Sequence, residues 1–216
     1  MTRIHVFAGW IAGILSFLAY LPYWSSILYP YLPERLKKLV ILLHLHHEWD
    51  NVTNPPRSTW LIWMTVSFML LASYRAEGAA SQTLGVPIAY AICGVVTFLL
   101  SLKYGVGGWD LLDRICLGLA LGSGIIWWLS GSPLIALLAN LGVDSAGAIR
   151  IVRGVYENPK SESRVAWSLF FAGSAFNLLA TDHLTFAIAA YLIYIFIACG
   201  TIATMVLLPR LRFKRD

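Results

Sequence analysis

Long apolar stretches without a charged residue alternate with short polar segments along most of the chain. No Asp, Glu, Lys or Arg occurs in residues 4–33, 58–74, 78–102, 115–143, 165–181 or 183–209. A helix that crosses a bilayer needs about 20 apolar residues, so these windows predict membrane-spanning helices. Strands of a membrane barrel would alternate apolar and polar positions, and the run Leu-Ile-Tyr-Ile-Phe-Ile-Ala after Tyr191 does not.

The window 115–143 is too long for one helix, and we divide it at Ser130-Gly-Ser-Pro133 because Gly and Pro commonly separate helices. The pattern then predicts seven spans, at residues 8–29, 58–74, 84–104, 114–129, 133–152, 164–181 and 184–208. Spans two, four and six are short. The expected fold class is an all-α, polytopic membrane protein with a single membrane domain over residues 1–216.

The composition agrees with this class and excludes several others. Of the 216 residues, 58% are hydrophobic and 12% are charged, whereas a soluble domain carries about 25% charged residues. A soluble enzyme, a disordered chain and a nucleic-acid-binding domain are therefore excluded, despite the net charge of +5. The partners expected are the lipid bilayer and a small-molecule solute, with a homo-oligomer left open and no nucleic acid.

Lysine and arginine concentrate on one side of the predicted membrane. Only Arg3 and Arg75 fall on the side of the amino terminus, against fourteen on the other side, including the basic tail at 209–216. Because cytosolic loops are enriched in Lys and Arg, we expect an outside amino terminus and a cytosolic carboxy terminus. The short loops suit a bacterial inner membrane.

The chain also repeats a short motif. Asn54-Pro55 is followed by seven residues and Trp63, and Asn158-Pro159 is followed by seven residues and Trp167. Both motifs precede the second helix of a triplet of spans. Two such triplets, at 8–104 and 133–208, need a linker helix at 114–129 between them, which predicts a 3+1+3 arrangement of parallel repeats. Such repeats commonly place a substrate site at their interface near the midplane.

The chain has seven predicted spans, Leu21-Pro22-Tyr23 in the first helix, and paired tryptophans near the starts of the second and sixth helices. In these features it resembles the SWEET and PQ-loop superfamily of membrane transporters. The resemblance implies two rocking triple-helix units with Pro22 as a hinge. The chain departs from the family in having no Pro-Gln pair, Ala148-Ile149 in place of a second Leu-Pro, and an insertion at 31–52. It also lacks the asparagines of sugar-transporting members.

Three polar residues are expected near mid-membrane. Asp144 falls close to the centre of the fifth span, Asn140 lies one turn away, and Asn177 in the sixth span has a similar depth. A membrane-embedded carboxylate must face protein or water. We hypothesise a cluster of the three side chains between the fifth and sixth helices. It either braces the bundle or forms a ligand or proton site.

Aromatic residues are the other candidates for a binding site. Trp63 and Trp167 occupy matching positions, and with Tyr20 they either wall a small-molecule site or pack against neighbours. Six other tryptophans near span ends are interpreted as interface anchors: Trp10, Trp24, Trp60, Trp109, Trp127 and Trp128.

The inserted segment contains His44, His46 and His47. They are weak candidates for a metal site, because the apolar stretch at 36–43 after a basic start favours an interfacial amphipathic helix. The three cysteines are expected to be packing residues, and no cofactor is expected.

Neither catalytic motifs nor a Schiff-base lysine in the last span are present, so we expect neither an enzyme nor a retinal protein. Two functions stay open. The first is a transporter of a small polar solute by alternating access. The second is a non-transporting receptor or assembly protein on the same scaffold.

Overall fold

The computed structural model of this protein describes residues 3–43, 55–157, 162–182 and 184–208. The described residues are all-α, as the apolar pattern predicts. The helices are α1 (Arg3–Leu18), α2 (Tyr20–Leu28), α3 (Glu34–Leu42), α4 (Arg57–Ala76), α5 (Gly85–Tyr104), α6 (Leu111–Ser130), α7 (Pro133–Glu157), α8 (Arg164–Leu179) and α9 (Phe186–Leu207). Short 3₁₀ turns at Tyr29–Tyr31 and Ser81–Leu84 connect them.

Several of these helices are long and apolar enough to cross a membrane. Within the described residues five stretches qualify by length and composition: Arg3–Tyr31, Ser81–Tyr104, Leu111–Ser130, Pro133–Glu157 and Phe186–Leu207. Helices α4 and α8 are not among them. With 16 residues, α8 reaches about 24 Å at the usual rise, which is shorter than the hydrocarbon core of a bilayer.

The first apolar stretch is interrupted at Pro22. Proline has no backbone N–H, so it leaves the carbonyl of Leu18 without its helical partner. Accordingly α1 ends at Leu18 and α2 begins at Tyr20, while Ala19 between them keeps helical backbone angles. The interruption is therefore a local break in one continuous path across the bundle.

Loop contacts identify two ends of the bundle. At one end, the backbone of Arg57 at the start of α4 bonds to the carbonyl of Val106 after α5, and Tyr31 after α2 packs on Tyr104. Val155, Ile202 and Val206 join the ends of α7 and α9 there. We call this the basic end, since Arg57, Lys103, Arg114, Arg150, Arg153 and Arg164 lie at the helix termini that meet there. The other is the opposite end.

The helices pack in two groups that contact each other. In the first group α5 packs against α1 and α4, and in the second α9 packs against α7 and α8. Between the groups, α1 packs on α8 and α4 packs on α7, whereas α6 lies against α7 and α4. Small residues allow the closest approach: Gly173 on α8 leaves no room for a Cβ beside Ser16 on α1.

Helix α7 continues to Glu157, beyond the end expected at residue 152. Arg150, which lies within the span expected at 133–152, pairs with Asp113 on α6 at 2.5 Å. Asp110 and Asp113 form a reciprocal capping box at the start of α6. The ion pair lets the cationic turn of α7 remain helical inside the bundle.

Some expectations fall outside the described residues, namely the histidines His44, His46 and His47, the Asn-Pro pairs' Asn54, Asn158 and Pro159, and the tail at 209–216. The amphipathic segment before the histidines is helical as α3. None of its residues is buried, and Leu42 is 73% exposed, so its apolar side chains are available to a membrane surface.

Candidate functional site

A cavity of about 100 Å³ lies between the two groups of helices. Such a volume holds several water molecules. The first group lines it with Tyr20, Tyr23, Trp60, Trp63, Ser67 and Tyr90. The second group contributes Asp144, Glu162, Trp167, Phe170, Ile195 and Cys199, among others. The cavity therefore lies at the interface between the two groups, and its lining needs residues from both.

The cavity extends from the middle of the bundle towards the basic end. Asp144 and Gly94, both lining residues, lie near the middles of α7 and α5. Trp60 and Trp167 lie in the first turns of α4 and α8, and Glu162 lies just before α8. The lining thus reaches the helix termini at the basic end.

The opposite end is closed by contacts between the same two groups. Tyr74 on α4 and Tyr191 on α9 pack with ring centroids 4.4 Å apart, and both side chains are fully buried. Gln82 donates a hydrogen bond of 3.3 Å to the carbonyl of Ala180 after α8. The cavity is therefore separated from the opposite end by a layer of packed side chains.

The aromatic side chains form one continuous wall around Tyr20. Its ring contacts Trp60, Tyr90 and Phe170 at centroid distances of 6.5, 6.2 and 5.0 Å. Trp60 in turn meets Trp63 at 5.2 Å with the two rings nearly perpendicular. Tyr20 and Trp63, two residues expected from the sequence, thus belong to the same wall.

Trp60 corrects one expectation. Its position three residues into α4 suggested a ring at the membrane interface, but only 6% of the residue is exposed. The ring faces inward, against Tyr23 at 5.3 Å. Trp10 and Trp128, by contrast, are 70% and 82% exposed, as interface anchors would be.

Asp144 presents a carboxylate to the cavity. The hydroxyl of Tyr194 on α9 donates to its Oδ2 at 2.6 Å, and no hydrogen bond from a described residue reaches the other oxygen. The bond fixes the orientation of the carboxylate across the α7–α9 contact, leaving Oδ1 available to a solute.

Asn140 and Asn177 do not join Asp144. The amide of Asn140 donates to Ser123 Oγ on α6 at 2.6 Å and to the carbonyl of Ala136. Asn177 is buried on α8, which packs against α1 and α9 rather than α7. Neither asparagine lines the cavity. The expected three-residue cluster is therefore not formed, because each helix face meets a different neighbour.

Glu162 is a site residue that the sequence reasoning missed. It lies in the polar linker before α8, and its Oε2 accepts a hydrogen bond of 3.0 Å from Trp167 Nε1. Desolvation raises the pKa of the Glu162 carboxyl to about 7, although the bond from Trp167 favours the ionised form. The motif repeat was an available signal, since it aligns Glu162 with Ser58, which is also buried.

The two matched tryptophans differ in their partners. Trp167 is paired with Glu162, whereas the buried Nε1 of Trp63 has no hydrogen-bond partner among the described residues. The Trp63 ring lies directly against Gly147 of α7, where a Cβ would collide with it. Gly147 is therefore required for α4 and α7 to approach with Trp63 between them.

Comparison of the chain with known protein families, with curated proteins and with solved structures finds no match. The functional argument therefore rests on the geometry of the cavity and the packing around it.

Proposed function

We propose that this protein is an integral membrane transporter that moves a small polar solute by alternating access between two triple-helix halves. The first half consists of α1 with α2, α4 and α5. The second consists of α7, α8 and α9, with α6 as the linker. The observation that carries the proposal is the cavity: residues of both halves line it, and it extends to the basic end. Rocking of the halves would close that end and open the other.

Equivalent packing within the halves supports the 3+1+3 arrangement. In each half the third helix contacts the first two, and between the halves the first helix of one contacts the second helix of the other. These reciprocal contacts are expected of two parallel repeats related by an axis along the membrane normal. They also favour the relationship to the SWEET and PQ-loop superfamily, in which the break at Pro22 would serve as a hinge.

Seven spans rather than five require that both α4 and α8 cross the membrane. The 20 residues of α4 reach about 30 Å at the usual rise, and the position of α8 in the bundle supports a crossing by α8. After the 16 residues of α8, the carbonyl of Ala180 accepts a hydrogen bond from Gln82 at the opposite end. In the first turn of α8, Trp167 bonds to Glu162 near the basic end. The segment therefore runs from one end of the bundle to the other. A helix enclosed by α1 and α9 meets less lipid than an isolated span. Its shorter apolar length is then tolerated at modest cost.

The charge distribution supports an orientation in which the basic end is cytosolic. Cytosolic termini are enriched in Lys and Arg, and among the described residues only Arg3 and Arg75 lie on the side of the opposite end. The short loops between the helices are the ground on which we propose a bacterial inner membrane. The conformation described is then open towards the cytosol.

Reconstitution into liposomes tests the proposal. Purified protein is screened for uptake of sugars, vitamins, amino acids, amines and metal ions. Saturable uptake of a small polar solute is expected. The matched variant is Ala148→Trp, which adds a ring at a residue that lines the cavity and should abolish uptake while leaving the size-exclusion profile unchanged. Saturable binding without uptake of any bound solute would contradict transport and favour a receptor.

A further inference from the structure

The cavity combines a wall of aromatic rings with two carboxylates, Asp144 and Glu162, and contains no Lys, Arg or His among its described lining residues. We propose that it binds a small organic cation, with the ammonium group held against the rings and both carboxylates supplying opposite charge. This inference rests on the proposed transport function and names the class of solute.

The rings are arranged as adjoining walls of a box. Trp60 and Trp63 are inclined at 88° to each other, and Tyr20 and Phe170 at 87°. Perpendicular rings can surround a rounded group, whereas a parallel pair suits a flat one. Aromatic boxes recognise quaternary ammonium groups through the negative faces of the rings. The geometry therefore fits a methylated or substituted ammonium head.

Both carboxylates are oriented by aromatic donors. Tyr194 donates to one oxygen of Asp144, and Trp167 donates to one oxygen of Glu162. Within the described residues, no hydrogen bond satisfies the second oxygen of either group. Because a negative charge without a counter-charge is costly in a low-dielectric site, a bound cation would offset the burial of these groups.

Other solute classes fit the same lining less well. An anion would be repelled by the two carboxylates. A sugar would leave their charge uncompensated. A metal ion such as Ca²⁺ needs several oxygen ligands, and among the described residues no group of three or more His, Cys, Asp or Glu side chains could hold one. Rings provide no such ligands, so an organic cation is favoured.

The test compares two probes of nearly equal shape. Choline carries a quaternary nitrogen, and its neutral analogue has a carbon atom in place of that nitrogen. Binding to the purified full chain in detergent is measured by calorimetry and by the fluorescence of the cavity tryptophans. We expect choline to bind at least tenfold more tightly. Equal affinities, or tighter binding of glucose than of choline, would overturn the proposal.

Two variants assign the charge to the cavity. Asp144→Asn and Glu162→Gln should each weaken choline binding while leaving the affinity for the neutral analogue unchanged. Asp182→Asn, which removes an exposed acid near the opposite end, is the matched control and should bind as the parent does. Size-exclusion profiles verify folding. If the folded variants keep the parent's preference for choline, the proposal is wrong.

Uptake separates the inference from the transport function. Choline binding without choline uptake would support the cation site and contradict transport. Saturable uptake of a neutral or anionic solute by a protein that does not bind choline would overturn the cation site and leave transport standing.

Discussion

The first half of the bundle contributes most of the aromatic rings that line the cavity, whereas the second half contributes both of its carboxylates. Tyr20, Tyr23, Trp60, Trp63 and Tyr90 come from the first half, and Asp144 and Glu162 come from the second. The packing of the halves is equivalent, but their chemistry is not. Trp167 and Phe170 of the second half complete the aromatic lining, so the rings come from both halves but the negative charge comes from one.

The largest effect on choline binding is expected when both carboxylates of the second half are neutralised. In the double variant Asp144→Asn with Glu162→Gln, choline binding should fall at least 100-fold, because the attraction between a buried carboxylate and a nearby cation is worth on the order of 2–4 kcal/mol for each carboxylate. Calorimetry of choline and its neutral analogue provides the measurement. If the double variant still binds choline more tightly than the neutral analogue, the two carboxylates of the second half do not cause the preference.

The aromatic side is tested by Trp63→Ala. Cation–π contacts contribute about 0.5–2 kcal/mol, so choline binding should weaken about tenfold, and Trp63→Phe should recover most of it. Trp128→Ala, which changes an 82% exposed ring, is the control. If the alanine variant at position 63 loses affinity for both probes equally, the ring contributes packing rather than cation recognition.

A smaller effect is expected from pH. With a pKa of about 7, Glu162 is mostly ionised at pH 8 and mostly protonated at pH 6. Choline binding should therefore weaken several-fold on acidification, less than in the double variant because Asp144 is retained and a fraction of the Glu162 carboxyl stays ionised at pH 6. The other titratable lining groups are Asp144, Tyr20, Tyr23, Tyr90 and Cys199.

The matched comparison for this effect is Glu162→Gln, in which Asp144 and the other groups titrate unchanged. Its choline affinity should depend less on pH than that of the parent protein. If choline affinity depends on pH in the same way in both proteins, a group other than Glu162 causes the pH dependence.

The smallest effect on binding is expected at Asn140, which sequence spacing placed in the site and the structure places against α6. Asn140→Ala removes the bonds to Ser123 and Ala136, so the free energy of unfolding should fall by about 1 kcal/mol. Choline affinity should not change. Thermal unfolding and calorimetry measure both quantities. If choline affinity falls while the free energy of unfolding does not change, Asn140 belongs to the binding site after all.

The sequence predicted the helices better than the site. Charge-free windows located the long helices, once the window 115–143 was divided between α6 and α7, because apolar length is a property of the chain itself. Asp144, Trp63 and Tyr20 were found for the same reason, since depth and repeat position can be counted along the sequence. Counting residues along the sequence does not show which neighbouring helix each face of a helix packs against. Asn140 lies one turn from Asp144 but meets α6 instead of the cavity.

Two other residues show the same limit. Trp60 lies close to a helix end, where depth alone suggested an interface anchor, but its ring turns inward against Tyr20 and Tyr23 of α2. Glu162 lies in a polar linker that carries no hydrophobic periodicity. Its place in the cavity depends on the path of the chain between α7 and α8.

The central claim is a cavity that lies between the two groups of helices, extends to the basic end and is closed off from the opposite end. Ser67→Cys places a thiol in its lining, in a background where Cys93, Cys116 and Cys199 are replaced by alanine. With the basic end cytosolic as proposed, a membrane-impermeant thiol reagent should label it faster in inside-out vesicles than in right-side-out vesicles, where labelling requires the halves to rock first. Labelling from the outer face alone, or from neither face, would contradict the account.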